Sequence, residues 1–439
     1  MAQGMGMGFI SPIYLKMRSN ETDTNLVDRP LEPQELSIFA GIINAGAVAG
    51  ALVAGVISNH VGRKKFFILL AFLMLAGFFI HTITRNLYLH YLARCLIGLG
   101  TGGGVVIYLY AAEIAGKHNR ATTATISSLM FAIGRLYVYC LGPVVSIKQY
   151  CFLCTVPLML CIVWIILIVP ESPFYLVAKK QDAKAEKVLH KLNPAEKAME
   201  QMQDIRVLLF AKRMDWKSLL MDQVSRKAFF ICLGVQFLTI LSGDYLIVSF
   251  IGVILNFPSG HLSGNTYAKI VGGLKVVAGC GIPFAVDHIP RRMLLISCLY
   301  VTFVCHLVTG SYFTLKYLDY KCANDMEFLV VLSVTIYGLI QTIGLRMLSG
   351  LYVGEMLPNN MKPIAGPIVI ACGYSVGLIL NVVFPLLEAN FAVDYLFYGM
   401  SLVCFVGAIF SYLYVPETRK MSLIEIQDIL RAKQYVTRL

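Results

Sequence analysis

The chain has 439 residues, of which 57% are hydrophobic and only 14% are charged, and its formal net charge is +12 at pH 7. A soluble globular domain carries about 25% charged residues, so this composition excludes a soluble protein and indicates an integral membrane protein. The basic excess follows the membrane topology described below, and we therefore expect no nucleic-acid partner.

The first apolar segment, MAQGMGMGFISPIYL at residues 1–15, is too short to span a bilayer alone. At ~1.5 Å per residue a helix of this length reaches about 22 Å, whereas the hydrocarbon core is about 30 Å thick. We interpret the segment as the outer half of a first helix, which would leave a gap on the cytoplasmic side. It has no basic n-region or cleavage site, so a truncated or alternative start is favoured over a signal peptide.

Eleven longer apolar segments follow along the chain. Each has roughly the 20 residues that a transmembrane helix needs, and none shows the alternation of a transmembrane strand. The predicted spans are 35–58, 66–84, 88–113, 121–144, 150–169, 226–255, 266–286, 293–314, 327–356, 364–387 and 394–415.

Basic residues predict the orientation of these spans. One side of the membrane receives 25 Lys and Arg residues and the other receives eight, so the first side, with the C-terminus, is predicted to be cytoplasmic. The sequon Asn20-Glu-Thr falls in the first loop on the opposite side, where a glycan on Asn20 is chemically possible.

A charged segment at 173–225 divides the chain into two similar halves. Its apolar residues recur at helical spacing, which predicts short amphipathic cytoplasmic helices. Around it, GRKK (62–65), AAEIA (111–115) and PESP (170–173) are echoed by PRR (290–292), VGEML (353–357) and PET (416–418). The repeat predicts an N-terminal bundle at 1–172, the linker at 173–225, a C-terminal bundle at 226–417 and a tail at 418–439.

These motifs resemble those of the sugar porters of the major facilitator superfamily, in particular the insect trehalose and glucose facilitators. The loop signature G-x-x-x-D-[RK]-x-G-R-[RK] corresponds to residues 55–64, with Asn59 in place of the acid. The fourth-span signature corresponds to the stretch from Arg94 to Arg120, with Gly116 in place of a proline. The resemblance implies an all-α membrane protein with the major facilitator fold, built from two six-helix bundles with a truncated first helix.

The resemblance also implies charged residues at the cytoplasmic helix ends that pair and hold the halves in the outward-facing state. The alternative is that these charges serve the topology alone. The predicted cytoplasmic gating charges are Arg63, Arg94, Glu113, Arg120, Glu171, Asp287, Arg292, Glu355 and Glu417.

At the family's substrate positions the neutral amides and the tryptophan have been replaced. The seventh-span QQLSGIN motif reads TILSGDY at 239–245, and the charges Arg135, Asp244, Lys275 and Arg346, summing to +2, lie at or beside such positions. The resemblance places the following residues in the substrate cavity: Ser128, Arg135, Gln236, Thr239, Asp244, Tyr245, Lys275, Thr342, Arg346 and Gly373.

A carboxylate in hydrocarbon costs at least ~2.5–3.5 kcal/mol, so Asp244 requires a partner or a function. The resemblance brings the seventh, eighth and tenth helices together, and we therefore expect Asp244 to pair with Arg346 or Lys275. For each of the four charges a structural ion pair without a substrate role is an open alternative.

Three functions are compatible with these observations: a carrier that moves a sugar or related small solute by alternating access, a carrier of an organic anion, and a non-transporting, receptor-like relative. No nucleophile–base pair or metal cluster emerges, so no enzymatic activity, metal or cofactor is expected. The expected partners are a small-molecule solute and the lipid bilayer, and the expected location is the plasma membrane.

Overall fold

The computed structural model describes residues 1–19, 26–114, 120–192, 198–199, 201–203, 205–206, 222–257, 262–281, 288–320, 322–358, 361–419, 421 and 423–431. Within these ranges the regular structure is helical and contains no strand.

The described helices of the first half are α1 (Ala2–Gly8), α2 (Tyr14–Arg18), α3 (Pro33–Val61), α4 (Arg63–Ile83), α5 (Leu87–Gly103), α6 (Val105–Ile114), α7 (Arg120–Leu141), α8 (Ile147–Leu167), α9 (Pro173–Ala178) and α10 (Asp182–Leu192). Those of the second half are α11 (Gln223–Leu241), α12 (Asp244–Ile254), α13 (Gly264–Cys280), α14 (Arg291–Tyr317), α15 (Cys322–Asp325), α16 (Glu327–Ile340), a π-helix (Gln341–Leu345), α17 (Arg346–Met356), α18 (Lys362–Ala389), α19 (Val393–Tyr414) and α20 (Leu423–Arg431).

Nine helices or joined helix pairs in the described part of the chain are long and apolar enough to cross a membrane. They correspond to nine of the eleven predicted spans. The predicted span 121–144 corresponds to α7, whose apolar part is the shorter segment Ile126–Leu141. The span 266–286 corresponds to the 17-residue α13, which ends beside residues outside the described ranges.

Glycines allow α5 to pack closely against α3 in the first bundle. A Cβ atom on Gly98 would lie 2.2 Å from the carbonyl oxygen of Ile43, and one on Gly102 would lie 1.9 Å from that of Ala47. Small residues that let helix backbones approach in this way are typical of membrane helix interfaces. The spaced glycines of the fourth-span motif therefore have a packing role.

In the described part of the chain, the two bundles meet chiefly along three helix pairs. Helix α3 packs on α18, α7 packs on α13, and α1 contacts α12. A Cβ atom on Gly41 of α3 would lie 2.4 Å from a methyl carbon of Val382 on α18, so this contact is tight. Helices α9 and α10 follow the first bundle, as predicted for the linker, whereas most of 193–221 lies outside the described residues. The exact domain boundaries and the gap beneath residues 1–15 stay predictions.

Candidate functional site

The second bundle contains a break in its first long helix, and Asp244 lies at that break. Helix α11 ends at Leu241, and Gly243 adopts a left-handed conformation with φ of 92°. Asp244 then begins α12 with only 2% of its surface exposed. Because the N-terminal end of a helix carries partial positive charge, this position stabilises a carboxylate.

A second irregularity positions the partner of Asp244. The π-helix at Gln341–Leu345 immediately precedes α17, and Arg346 is the first residue of that helix. Its Nη1 donates a hydrogen bond of 2.6 Å to Asp244 Oδ2, which confirms the predicted ion pair. The pairing uses one carboxylate oxygen, and Asp244 Oδ1 is buried without a hydrogen-bond partner in the described structure. Short π-helical turns occur frequently at functional sites.

Phe131 joins this ion pair to the first bundle. The Arg346 guanidinium carbon lies 4.0 Å from the centroid of the Phe131 ring, and that of Arg135 lies 4.8 Å from the same centroid. Both distances are within the range of cation–π attraction. Phe131 is not among the predicted cavity residues, although its position one turn before Arg135 on α7 is a usable signal in the sequence.

Arg135 and Lys275 line a small cavity between α7 of the first bundle and α12 and α13 of the second. The cavity measures about 10 Å³, room for roughly one water molecule. Arg135 is 5% exposed and Lys275 is 6% exposed. Among the described residues, neither cation has an ion pair or hydrogen bond, and Arg135 Nε is buried without a partner. Lys275, the other predicted partner of Asp244, is therefore not paired with it.

The four charges act on one another across the bundle interface. Arg135 and Lys275 repel each other, and both are attracted by Asp244 and repelled by Arg346. Three cations and one carboxylate give a formal sum of +2. The arrangement therefore combines one satisfied ion pair with two buried cations that lack a counter-ion in the described structure.

Thr239 and Gln236 contribute to helix packing in this structure. Thr239 Oγ1 donates to the carbonyl oxygens of Val235 and Leu345 at 2.9 and 3.2 Å. Gln236 packs against Gly373, where a Cβ atom would lie 2.4 Å from its Nε2. These predicted cavity residues therefore hold α11 against its neighbours.

Three other predicted cavity residues lie on the surrounding helices. Tyr245 stacks on Tyr374 with ring centroids 5.4 Å apart. Thr342, in the π-helix, donates to the Gly338 carbonyl oxygen at 2.9 Å. Ser128 is half-buried on α7. The structure thus brings together the four predicted charges, while the uncharged residues mostly serve the scaffold.

At the end of the first bundle that is predicted to be cytoplasmic, Arg63, Glu113 and Glu171 form a network that we call the first clamp. Arg63 Nη2 pairs with Glu113 Oε1 at 2.9 Å, and the Arg63 side chain is buried. Glu171 Oε1 accepts hydrogen bonds from the backbone N–H groups of Arg63 and Lys64 at 2.8 and 3.2 Å. The Glu171 carboxylate thereby satisfies free N–H groups at the start of α4.

The second bundle repeats this arrangement in a second clamp of Arg291, Glu355 and Glu417. Arg291 Nη2 pairs with Glu355 Oε1 at 2.9 Å. The Glu417 carboxylate accepts from the backbone N–H groups of Arg291 and Arg292 at 3.1 and 3.0 Å. Arg292, the predicted gating charge, contacts Glu417 through its backbone N–H, while its side chain turns toward Tyr412 and donates to the Tyr412 carbonyl oxygen. Arg291 supplies the guanidinium of this clamp.

Arg94 corrects another expectation, because it does not pair with a cytoplasmic carboxylate. It is fully buried, and its Nε and Nη1 donate to the carbonyl oxygens of Phe39 and Gly6 at 3.2 and 3.0 Å. The side chain of Arg120, the residue that ends the fourth-span signature, lies outside the described residues, as do Asp287 and Asn20.

Direct hydrogen bonds close the bundle interface along α12. Tyr139 on α7 donates its hydroxyl hydrogen to the Val248 carbonyl oxygen on α12 at 2.7 Å. The backbone N–H of Gly252 donates to Ser11 Oγ at 3.1 Å. Both contacts connect the first bundle to α12, C-terminal to Asp244 along that helix.

A surface ion pair adds to this closure. Arg18 Nη1 donates to both oxygens of Glu388, on α18, at 2.7 and 2.5 Å. Partial burial lowers the pKa of the Arg18 guanidinium. The hydrogen bonds and the negative charge of Glu388 have the larger combined effect, so the pKa of Arg18 is raised. The pair joins α2 of the first bundle to α18 of the second.

Comparison with known proteins identifies the family. Residues 2–430 match the model of the family described as "Sugar (and other) transporter". The chain belongs to this family. It is 26% identical over 415 residues to the Arabidopsis thaliana protein "Sugar transporter ERD6-like 6", covering 92% of this chain and 84% of the relative. It is 24% identical to the Culex quinquefasciatus "Facilitated trehalose transporter Tret1", covering 97% and 83%.

Solved structures show that this transporter has the major facilitator fold. The proton:xylose symporter XylE of E. coli, with bound 6-bromo-6-deoxy-D-glucose, superposes with a TM-score of 0.78 at 19% identity, covering 98% of this chain and 97% of that chain. The human organic anion transporter MFSD10 superposes with a TM-score of 0.62 at 12% identity, covering 93% and 97%. The fold and the family predicted from the motifs are confirmed.

Proposed function

We propose that this member of the sugar transporter family is a carrier that moves a small polar solute across the plasma membrane by alternating access. A sugar is the substrate class suggested by the family and by the names of its relatives. One observation carries the proposal. A buried charged site lies between two bundles, and Tyr139 and Ser11 close the bundle interface along α12.

The clamps support motion of the bundles as units. Each clamp connects helices of a single bundle, the first through Arg63 and Glu113 and the second through Arg291 and Glu355. Each bundle therefore has its own cytoplasmic reinforcement, and relative motion between the bundles leaves both clamps intact.

The polar contacts that connect the bundles along α12 and α18 are individually weak. Two neutral hydrogen bonds, from Tyr139 and Gly252, contribute about 0.5–1.5 kcal/mol each. A partly exposed ion pair such as Arg18–Glu388 adds about 0–1 kcal/mol. Sums of this size are small relative to the stability of a folded bundle.

The experiment is uptake of labelled D-glucose, D-xylose and trehalose into proteoliposomes containing the purified full chain. A disulfide lock provides the matched control, because a Cβ atom on Gly252 would lie 3.3 Å from Ser11 Oγ, a separation compatible with bridging. We expect oxidised Ser11→Cys/Gly252→Cys protein to lose uptake and to regain it on reduction. The two single-cysteine variants should be insensitive to oxidant.

Uptake by the oxidised double variant at the unlocked rate would contradict alternating access across this interface. Absence of flux for neutral and acidic solutes alike, in protein that gel filtration shows to be folded, would favour the receptor-like alternative. Imaging of the tagged full chain tests the plasma-membrane location.

A further inference from the structure

Arg135 and Lys275 are two deeply buried cations that face one cavity without a counter-ion among the described residues. We propose that the transported solute carries a carboxylate or phosphate group, and that this acidic group binds between Arg135 and Lys275. The inference rests on the proposed carrier function and specifies its substrate class.

The charge balance of the site supports an acidic ligand. Burying an uncompensated cation is costly, and buried charges in proteins are normally paired. Asp244 is the carboxylate that acts on both cations, but its Oδ2 atom is already engaged by Arg346 at 2.6 Å. One carboxylate cannot neutralise three cations, so a formal excess of +2 remains. An acidic group of charge −1 or −2 removes part or all of this excess.

The donor types also match an oxyanion. Arg135 presents a planar guanidinium that can donate two parallel hydrogen bonds to a carboxylate or phosphate, and Lys275 presents a compact ammonium. The cavity between them holds roughly one water molecule, and its other walls are mostly apolar. A solute that enters when the bundles part would meet these two cations as the principal polar groups.

Two neutral polar groups near this site are engaged in contacts between helices. The Thr239 hydroxyl donates to Val235 and Leu345, and Gln341 Nε2 donates to the Thr239 carbonyl oxygen at 3.1 Å. A solute recognised only by its hydroxyls would have to compete with these contacts, although Gln341 Oε1 is buried without a hydrogen-bond partner in the described structure.

The location of the cations links binding to conformational change. Arg135 belongs to the first bundle and Lys275 to the second, and they repel each other in the absence of an intervening anion. A bound acidic group would attract both and so favour the arrangement in which the bundles are together. A ligand shifts the equilibrium between two arrangements only if it binds one of them more tightly than the other.

Gly338 allows Lys275 to reach the cavity. A Cβ atom on Gly338 would lie 2.5 Å from Lys275 Cε, so any larger residue there must displace the flexible lysine side chain. Gly338→Ala therefore offers a variant that moves the ammonium without altering the charge of the site. It complements the charge-neutralising variants.

The test compares three probes with the same sugar ring: D-glucose, D-glucuronate and D-glucose 6-phosphate. Binding to the purified full chain is measured by isothermal titration calorimetry. We expect at least one acidic probe to bind more than tenfold tighter than D-glucose. Comparing glucuronate with glucose 6-phosphate distinguishes a preference for a carboxylate from a preference for a phosphate.

The variants test the residues. Arg135→Gln and Lys275→Gln should each weaken binding of the acidic probe by about 10- to 100-fold, the effect of one charge-assisted hydrogen bond. Gly338→Ala should weaken it in folded protein of unchanged charge. Lys269→Gln, on the same helix as Lys275 but outside the cavity lining, is the matched control and should bind like the parent.

The inference is overturned if D-glucose binds as tightly as both acidic probes, or if neither acidic probe binds at millimolar concentration. It is also overturned if folded Arg135→Gln, Lys275→Gln and Gly338→Ala proteins bind the acidic probes with unchanged affinity. Flux measurements separate this failure from failure of the carrier proposal. Uptake of D-glucose that survives Arg135→Gln refutes the acidic site and retains the carrier. Glucuronate binding that depends on Arg135 but produces no flux retains the site and refutes the carrier.

Discussion

Replacing Asp244 with asparagine should destabilise the protein more than replacing Asp244 and Arg346 together. Asp244→Asn removes the only negative charge of the central cluster and raises its formal sum from +2 to +3. The double variant Asp244→Asn/Arg346→Gln keeps the sum at +2, because one charge of each sign is lost. The comparison therefore isolates the charge balance from the loss of a particular side chain.

The structure sets the expected size of the effect. Removing one partner of a buried ion pair costs about 3–5 kcal/mol. Asp244 is 2% exposed, but the Arg346 side chain keeps 27% exposure, and asparagine retains an acceptor oxygen for the Arg346 N–H. We therefore expect the lower end, about 3 kcal/mol for Asp244→Asn, and a loss of about 1 kcal/mol for the double variant.

The assay is reversible unfolding of purified protein in mixed micelles, followed by circular dichroism, together with the amount of monodisperse protein recovered. Asp394→Asn is the matched control. Asp394 is also a buried carboxylate, but it accepts a hydrogen bond from the neutral Thr314 hydroxyl at 2.9 Å. Its neutralisation should cost distinctly less than that of Asp244.

Two results would refute this reasoning. One is Asp244→Asn protein that is as stable as Asp394→Asn protein, which would mean that the cluster tolerates a sum of +3. The other is a double variant whose loss equals the sum of the two single losses, since additivity would show that Asp244 and Arg346 are not energetically coupled.

Two further predictions concern the clamp and the closure of the bundle interface. Gly62 has φ of 101°, and a Cβ atom there would lie 2.5 Å from Glu171 Oε2. Gly62→Ala should therefore lower the free energy of unfolding by about 1–3 kcal/mol. An unfolding free energy equal to that of the parent would contradict the strain argument. Glu388→Gln should remove the ion pair with Arg18 and lengthen the distance between spin labels on the extracellular ends of the two bundles, measured by pulsed electron paramagnetic resonance; an unchanged distance distribution would show that the pair does not hold the bundles together.

Much of the scaffold could be predicted from the sequence, because long apolar runs and charged loops determine a membrane topology directly. The first clamp follows from Arg63, Glu113 and Glu171, whose motifs lie at three successive connections on the side predicted to be cytoplasmic. Pairing between Asp244 and Arg346 could also be anticipated, since an isolated carboxylate in hydrocarbon requires a cation.

The remaining details depend on geometry that a linear pattern does not contain. The choice between Arg291 and Arg292 is set by the direction of each side chain at the first turn of α14, and adjacent residues differ there by about 100°. The π-helix that positions Arg346 adds a residue to one turn without an obvious sequence signal. Likewise, Arg94 could not be placed from a family motif alone, because its partners are backbone carbonyls.

The repeat between the two halves of the chain is present in the clamps and absent at the centre. The clamps repeat one architecture, with Arg63 and Arg291 each bound to a glutamate from a neighbouring helix. The centre does not repeat, since Arg135 and Lys275 come from helices that occupy different places in their bundles. Two unit charges at 4 Å interact by about 4 kcal/mol at an effective dielectric constant of 20. That value exceeds the roughly 1–3 kcal/mol supplied by the two hydrogen bonds that close the interface along α12. A solute of the proposed acidic class would therefore contribute more to the interface than these two hydrogen bonds do.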